Sequence, residues 1–416
     1  MFTLRNFRQF VIDTLVLLAR GSKAYYAWVG FLLVLVVIGI LGYMGQVGQG
    51  LISTSMRDQV SWGFYIGNFT FLVGVAAAAI MLVIPAYIYD WKPIKEITIL
   101  GEMVAIAALL MCLGFVMVDI GRPDRFWHIM PFVGRLHWPQ SMLAWDVIVL
   151  NFYLVLNYVV VTYLLYCAYM EKTYVKKFVY PLVLLSIPAA LSIHTVTAYL
   201  YNGLGARPFW NASILAPRFI TSALCSGPAI LLVLLQIFRK TTKLHITDEA
   251  IFKIAELMAY TMGFYLFLTG AEAFKEFYTN SEHVLYSQYL YFGIKGHNTL
   301  VPYAWASLIC GFIAFLLFLI PRTRTNWVTL NIGCAMIYAS VYIEKGMGLI
   351  IPGLTPDVLG EIYEYSPSRT EILVAIGVFG IGALALTLML KAAVPMMLGE
   401  FTIKKRPQRL PETQPQ

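Results

Sequence analysis

Charge is scarce in this chain of 416 residues: Asp, Glu, Lys and Arg together make up 12%, against about 25% in soluble domains. Polar stretches are short as well. No connection between apolar runs approaches the roughly 50 residues of a small domain, which excludes a soluble domain between them. Cysteine is limited to Cys112, Cys167, Cys225, Cys310 and Cys334, each alone inside an apolar run. Without Cys-x-x-Cys spacing, the chain is not expected to ligate an iron–sulfur cluster, and packing is the simpler role. Of six histidines only His194 falls inside an apolar run, which argues against a haem held between two facing imidazoles. The short alternating segments of a membrane β-barrel are missing too.

What remains is apolar: 59% of the residues are hydrophobic. A hydrocarbon core about 30 Å thick needs roughly 20 apolar residues per helix. Ten stretches qualify, at 24–44, 64–89, 97–118, 141–168, 178–200, 217–238, 250–273, 299–320, 327–344 and 370–397. The expected fold class is an all-α membrane protein. Residues 1–23 precede the first span, and the Phe7, Phe10, Val11, Leu15, Leu18 spacing fits an amphipathic helix on the membrane surface. An ordinary lead-in is the plainer reading. No small-residue cleavage site follows.

The formal charge of +8 follows topology and does not point to nucleic acid. Ten spans put both termini on one side. The termini and the even-numbered connections hold eighteen Lys and Arg, including Arg406 and Arg409 in the 398–416 tail, and the other connections hold ten. The positive-inside rule then makes both termini cytoplasmic in a multi-pass protein of the inner membrane.

An internal comparison suggests organisation. Gly101-Glu102-Met103-Val104-Ala105 resembles Ala255-Glu256-Leu257-Met258-Ala259 at an offset of 154. Leu72-Val73-Gly74-Val75-Ala76 resembles Cys225-Ser226-Gly227-Pro228-Ala229 at 153. Spans 2–5 (64–200) and 6–9 (217–344) would then be two four-helix bundles related by an axis along the membrane normal, with spans 1 (24–44) and 10 (370–397) flanking them.

An ionised group at mid-membrane costs at least about 2.5–3.5 kcal/mol, so each is a candidate for function. The candidates are Glu102, Asp119, Asp146, His194, Glu256, Glu272 and Glu344. At about 1.5 Å per residue, Asp146 lies roughly 7–8 Å and His194 roughly 9 Å from the outer end of its span. With Asp119 they outline a pocket near the outer face, and Glu102 marks a partial proton route inward. A neutral imidazole can hydrogen-bond a quinone carbonyl and exchange a proton with it. Snorkelling or packing carboxylates, and a structural histidine, are the alternatives.

The element Asp119-Ile120-Gly121-Arg122-Pro123 after the third span resembles the NrfD-type family, the polysulfide-reductase membrane subunits. The segments His194-Thr195-Val196, Ala206-Arg207-Pro208-Phe209-Trp210 and Glu344-Lys345-Gly346 through Pro352-Gly353-Leu354 are similar to its ten-helix branch. Within that branch the resemblance is to the DsrP-type subunits of sulfate-reduction complexes, with Hmc and Qrc subunits near them. It implies a respiratory subunit without haem or iron–sulfur cluster of its own that binds menaquinone or menaquinol. It also implies partners: a ferredoxin-like iron–sulfur subunit on the outer face, a multihaem cytochrome c, and further membrane and cytoplasmic redox subunits. Carried over residue by residue, the quinone site comprises Thr70, Gly74, His194, Tyr199, Arg207 and Trp210. The chain departs from the family pattern at Thr70, where relatives have an amide, and at Leu200 and Tyr201, where some have an acid. For Arg122, tethering the loop to Asp119 is the alternative to a charge beside a bound headgroup. Two other functions fit the composition: a proton-coupled carrier, which predicts matching helix breaks in both repeats, and a structural anchor for redox partners.

Overall fold

The computed structural model describes residues 3–95, 97–130, 133–281 and 283–405. Arg406, Arg409 and the rest of the 406–416 tail lie outside the described residues. Among the described residues, ten helices are long and apolar enough to cross a membrane. They are span 1 (Lys23–Gln49), span 2 (Phe64–Ile88), span 3 (Thr98–Asp119), span 4 (Met142–Tyr169), span 5 (Lys176–Asn202), span 6 (Leu215–Thr241), span 7 (Asp248–Thr279), span 8 (Val301–Leu319), span 9 (Trp327–Leu354) and span 10 (Arg369–Met397).

The N-terminal segment forms a separate helix, Leu4–Leu18, started by the Thr3 side chain. Its Phe10 ring packs on Tyr166 and Tyr169 at the end of span 4, and Phe401 packs on Tyr169 as well. Chain start and the segment after span 10 therefore meet on one face, the terminal face. The opposite one is the distal face.

Contacts close into two rings. Span 2 touches span 3, span 3 touches 4, 4 touches 5, and 5 returns to 2; spans 6, 7, 8 and 9 close in the same way. Spans 2 and 5 then lean on span 6. At the crossing of spans 2 and 6, a Cβ on Gly227 would lie 3.0 Å from Gly74 O and 3.0 Å from Ala78, and one on Gly74 would lie 3.3 Å from Ser226 Oγ. The two glycines matched by the 153-residue offset thus meet each other, and small residues there let backbones approach.

Spans 1 and 10 pack on each other, and span 10 on span 3. The pairing comes from glycine: a Cβ on Gly39 would sit 2.3 Å from Gly377 Cα, so the two backbones touch. The pair lies together on the side of spans 2–5.

Two segments differ from expectation. Residues 345–354, expected in a connection, are mostly helical: Gly346 interrupts the helix, and Met347–Leu354 continues it with Leu349–Leu354 buried. An apolar run needs to be covered whether or not it crosses the bilayer. Span 2 is irregular, with a tighter turn at Ala77–Ala79 and a wider one at Ile84–Ile88 around Pro85, which lacks an N–H donor. Span 6 stays one helix through Pro228. Among the described residues, the matched breaks of a carrier do not occur at this pair.

Candidate functional site

At the distal face a cavity of about 400 Å³ opens between spans 2, 3, 4 and 5. Its walls are apolar and aromatic, from Trp62, Ile66, Phe69, Val116, Phe126 and Leu143, and two carboxylates, Asp119 and Asp146, enter it. The volume falls in the roughly 300–1,000 Å³ range of small-molecule sites, and a few polar groups in an apolar wall is their usual chemistry.

Each carboxylate has a local reason to be there. Asp146 lies one turn into span 4, whose N-terminus is capped by Ser141. It is buried and accepts a hydrogen bond from Thr197 Oγ1 of span 5 at 2.8 Å. Asp119 ends span 3, and its Oδ1 is buried without a partner among the described residues. A buried unpaired carboxylate oxygen in a cavity wall is an acceptor waiting for a donor. The chain then turns through Gly121-Arg122-Pro123 into a short helical turn, Pro123–Ile129, and Arg122, Arg125 and Phe126 reach the cavity from it. Arg122 grips both oxygens of Asp124 through Nε and Nη2, at 3.0 and 2.9 Å, and not Asp119. In this exposed pair the Arg122 hydrogen bonds hold Asp124 below the usual carboxylate range.

Trp62 lines this cavity and a second one of about 420 Å³, which is more open and is bounded by Gly203, Leu204, Gly205, Arg207, Trp210 and Leu354. Trp62 stacks on Trp210 at 5.7 Å and 29° and meets Tyr201 edge-on at 5.6 Å. Trp210 is fully buried, and its Nε1 donates to Leu349 O at 2.8 Å. Arg207 Nη1 donates to Leu354 O at 3.2 Å.

The other residues singled out in the sequence fall as follows. His194 is buried behind the first cavity, one turn before Thr197, and neither ring nitrogen has a partner among the described residues. Thr70 donates to Ile66 O and pairs with the Tyr201 hydroxyl. It thereby occupies Tyr201, a position where the resemblance expects an acid. Gly74 packs against span 6, away from the cavity walls, where its small size lets the two helices approach. Tyr199 is exposed on the outside of span 5 and lines neither cavity. Position 199 lies two residues from the buried Thr197, which turns it to the opposite side of the helix. Glu102 is buried in span 3, with Oε2 unpartnered among the described residues. Its sequence counterpart Glu256 is instead near the surface, held by Lys253 at 3.1 Å and Tyr260 at 3.1 Å.

Glu272 and Glu344 meet elsewhere, in a pocket of about 40 Å³ between spans 6, 7 and 9. Both bind Arg218, and Tyr265 donates to Glu344 at 2.6 Å. In the sequence Arg218 is only one more charge at the outer end of span 6. Its pairing needs three helices to converge, and no spacing encodes that. Gln46 carries no signal in the sequence either: it donates to Val118 O at 2.7 Å and accepts from Tyr65 at 2.7 Å, next to the Asp119 end of span 3. The same holds for Asn68, which joins span 2 to Tyr342 of span 9 at 2.9 Å.

Comparison with known proteins agrees with this architecture. The family model described as polysulphide reductase, NrfD, matches residues 52–355. A putative membrane subunit of dimethyl sulfoxide reductase from Halobacterium salinarum is 26% identical over 91% of this chain and 92% of its own. A selenate reductase subunit from Mesobacillus selenatarsenatis is 23% identical, over 80% of this chain and 85% of its own. An Hdr-like menaquinol oxidoreductase integral membrane subunit from Archaeoglobus fulgidus is 22% identical, over 77% and 82%. With a family model spanning well over half of its length, the chain belongs to the polysulphide reductase NrfD family.

Proposed function

We propose that this protein is the quinone-interacting membrane subunit of an electron-transfer complex, and that the cavity carrying Asp119 and Asp146 is where menaquinone or menaquinol binds. One observation carries the reading: two carboxylates, Asp146 buried and Asp119 half-buried with one buried oxygen that has no partner among the described residues, stand in an otherwise apolar, aromatic-walled cavity with arginines at its mouth. A flat quinone ring fits between Trp62, Phe69 and Phe126, and its two oxygens need partners able to give and take protons. Asp119 and Asp146 are such partners. The electrons leave for, or arrive from, a peripheral iron–sulfur subunit of the ferredoxin type. Arg122 and Arg125 beside the cavity suit an acidic docking surface on it. A multihaem cytochrome c and further redox subunits would complete a DsrP-type assembly. The names of the relatives, among them a menaquinol oxidoreductase subunit, support the redox reading.

The charge distribution supports placing both termini in the cytoplasm of an inner-membrane protein, with the cavity toward the outer side. Spans 2–5 then form the quinone-binding unit and spans 6–9 a repeat of it, an assignment supported by the contact of Gly74 with Gly227. Glu102, in the half of span 3 toward the terminal face, gives the first unit a further proton-exchanging group.

Val147→Trp in the assembled complex tests the site, because Val147 lines the cavity and an indole would fill it. Binding of a menaquinone analogue and quinol-linked turnover are both expected to disappear, with electron flow from the other subunits to a soluble dye preserved. Analogue binding that survives the substitution would place the quinone elsewhere.

A further inference from the structure

Several buried polar groups outside the cavity have no part in that reading, and they form a series. Lys345, in span 9, is buried; its Nζ donates to Phe219 O at 2.9 Å and lies 4.0 Å from the centre of the Phe219 ring. The Phe219 ring packs on Tyr201 at 6.1 Å. Tyr201 is seven residues after His194, so the two share a face of span 5, and Thr197 stands between them on that face. On its other side Lys345 adjoins Glu344, the carboxylate held by Arg218 and Tyr265. A cavity of about 10 Å³ touches Lys345, Glu344 and Arg218, about the room one water needs, and the Glu272 pocket follows it.

From this we infer a lateral proton connection between the two four-helix units, running from Asp146 through Thr197, His194 and Lys345 to the Arg218–Glu344–Glu272 cluster. Two features point to a relay and not to packing alone. Both His194 nitrogens are buried without partners among the described residues, which is costly unless a water or a moving proton satisfies them. Lys345 has one hydrogen bond for three N–H donors, and it sits where the units meet, with no carboxylate of the described residues bound to it. The transfer moves protons and no electrons. A proton enters His194 on one ring nitrogen and leaves from the other, so the imidazole ends neutral. Lys345 gives a proton to the water on its Glu344 side and regains one from the His194 side. The cluster itself is balanced to take up a charge: two carboxylates share Arg218, with Lys345 as the second cation. In this way quinone chemistry in the first unit is coupled to the protonation of the second.

The inference rests on the quinone reading of the first cavity, and the experiment separates the two. In the intact complex reconstituted in liposomes, Lys345→Met and His194→Gln are compared with wild type for menaquinone-analogue affinity, quinol-linked turnover and protons moved per quinol. Affinity is expected to stay unchanged while turnover falls about 100-fold, the low end for loss of a positioned proton-transfer group. The double variant should fall no further than either single one, since both interrupt one route. Lys345→Arg, which keeps the charge but holds its proton too tightly to relay it, should resemble Lys345→Met. If Lys345→Met prevents assembly, Lys345→Arg and His194→Gln carry the test by themselves. Unchanged turnover and proton yield in an assembled Lys345 variant would overturn the connection and leave the cavity reading intact. Analogue binding that persists in Val147→Trp would instead overturn the cavity reading.

Discussion

Glu371 offers the sharpest test of how the distal face is held together. It is fully buried at the start of span 10, where it completes a capping box with Ser368. Its Oε2 accepts from Ser368 N at 2.8 Å and from Ser55 N at 2.9 Å, and its Oε1 from the Tyr365 hydroxyl. Tyr365 in turn accepts from Phe64 N at 2.8 Å, at the start of span 2. One carboxylate therefore ties the 51–60 connection, the 355–368 connection and the residues flanking Trp62. Hydrogen bonds to a charged group are worth about 1.5–3 kcal/mol each. Three of them are not additive, and Tyr365 keeps its bond to Phe64. Glu371→Ala is thus expected to cost about 3–4 kcal/mol in local stability, most of it from donors left unsatisfied. Opening of these segments would then exchange amide hydrogens about 100- to 1,000-fold faster, at about 1.4 kcal/mol per tenfold. Glu371→Gln keeps an acceptor but turns an NH2 toward the donors, and should fall between the two. Hydrogen–deuterium exchange on peptides from 51–60 and 357–368 in the detergent-solubilised complex measures this. Exchange as slow as in wild type would refute the claim that Glu371 holds the two connections.

Gly377→Val should separate spans 1 and 10, since a side chain there meets the Gly39 backbone; Gly30→Val, which faces open space, is the control. Cross-linking of cysteines introduced into the two helices reports the difference. Arg218→Met leaves Glu272 and Glu344 as a partly buried like-charged pair and should destabilise the second unit by about 3 kcal/mol, the low end for a buried pair, seen as lost assembly; adding Glu272→Gln and Glu344→Gln should recover it. Asp146→Asn retains the acceptor for Thr197 and hence the local structure, yet should lower quinol-linked turnover by about 100-fold by removing a proton acceptor. Thermal unfolding unchanged from wild type, with normal turnover, would take Asp146 out of the chemistry.

Much of the architecture is legible in the sequence, and the site only in part. All ten spans follow from run length, since the bilayer sets a minimum that apolar stretches either reach or do not. Asp119 and Asp146 stand out by depth, because two ends on the same side of the membrane converge on one layer. Thr70, Gly74 and Tyr199 come from resemblance, and resemblance does not carry the rotation of a helix about its axis. Gly74 turns toward span 6 and Tyr199 outward. Glu102 and Glu256 share a motif, yet one is buried and the other reaches Lys253 near the surface.

Order along the membrane normal is thus a property of the amino-acid sequence: which segments cross, in what succession, and how deep each ionisable group sits. Those quantities depend on the hydrophobic effect and on about 1.5 Å of rise per residue, both local to one helix. Lateral order belongs to the tertiary structure. Arg218 serves two carboxylates from different spans, Lys345 stands between the units, and Trp62 parts two cavities. Such contacts join residues as far apart in the chain as Arg218 and Glu272, or Ser55 and Glu371. They depend on how helices rotate and lean, which apolar patterning constrains weakly in a chain whose lipid-facing and core-facing sides are both apolar.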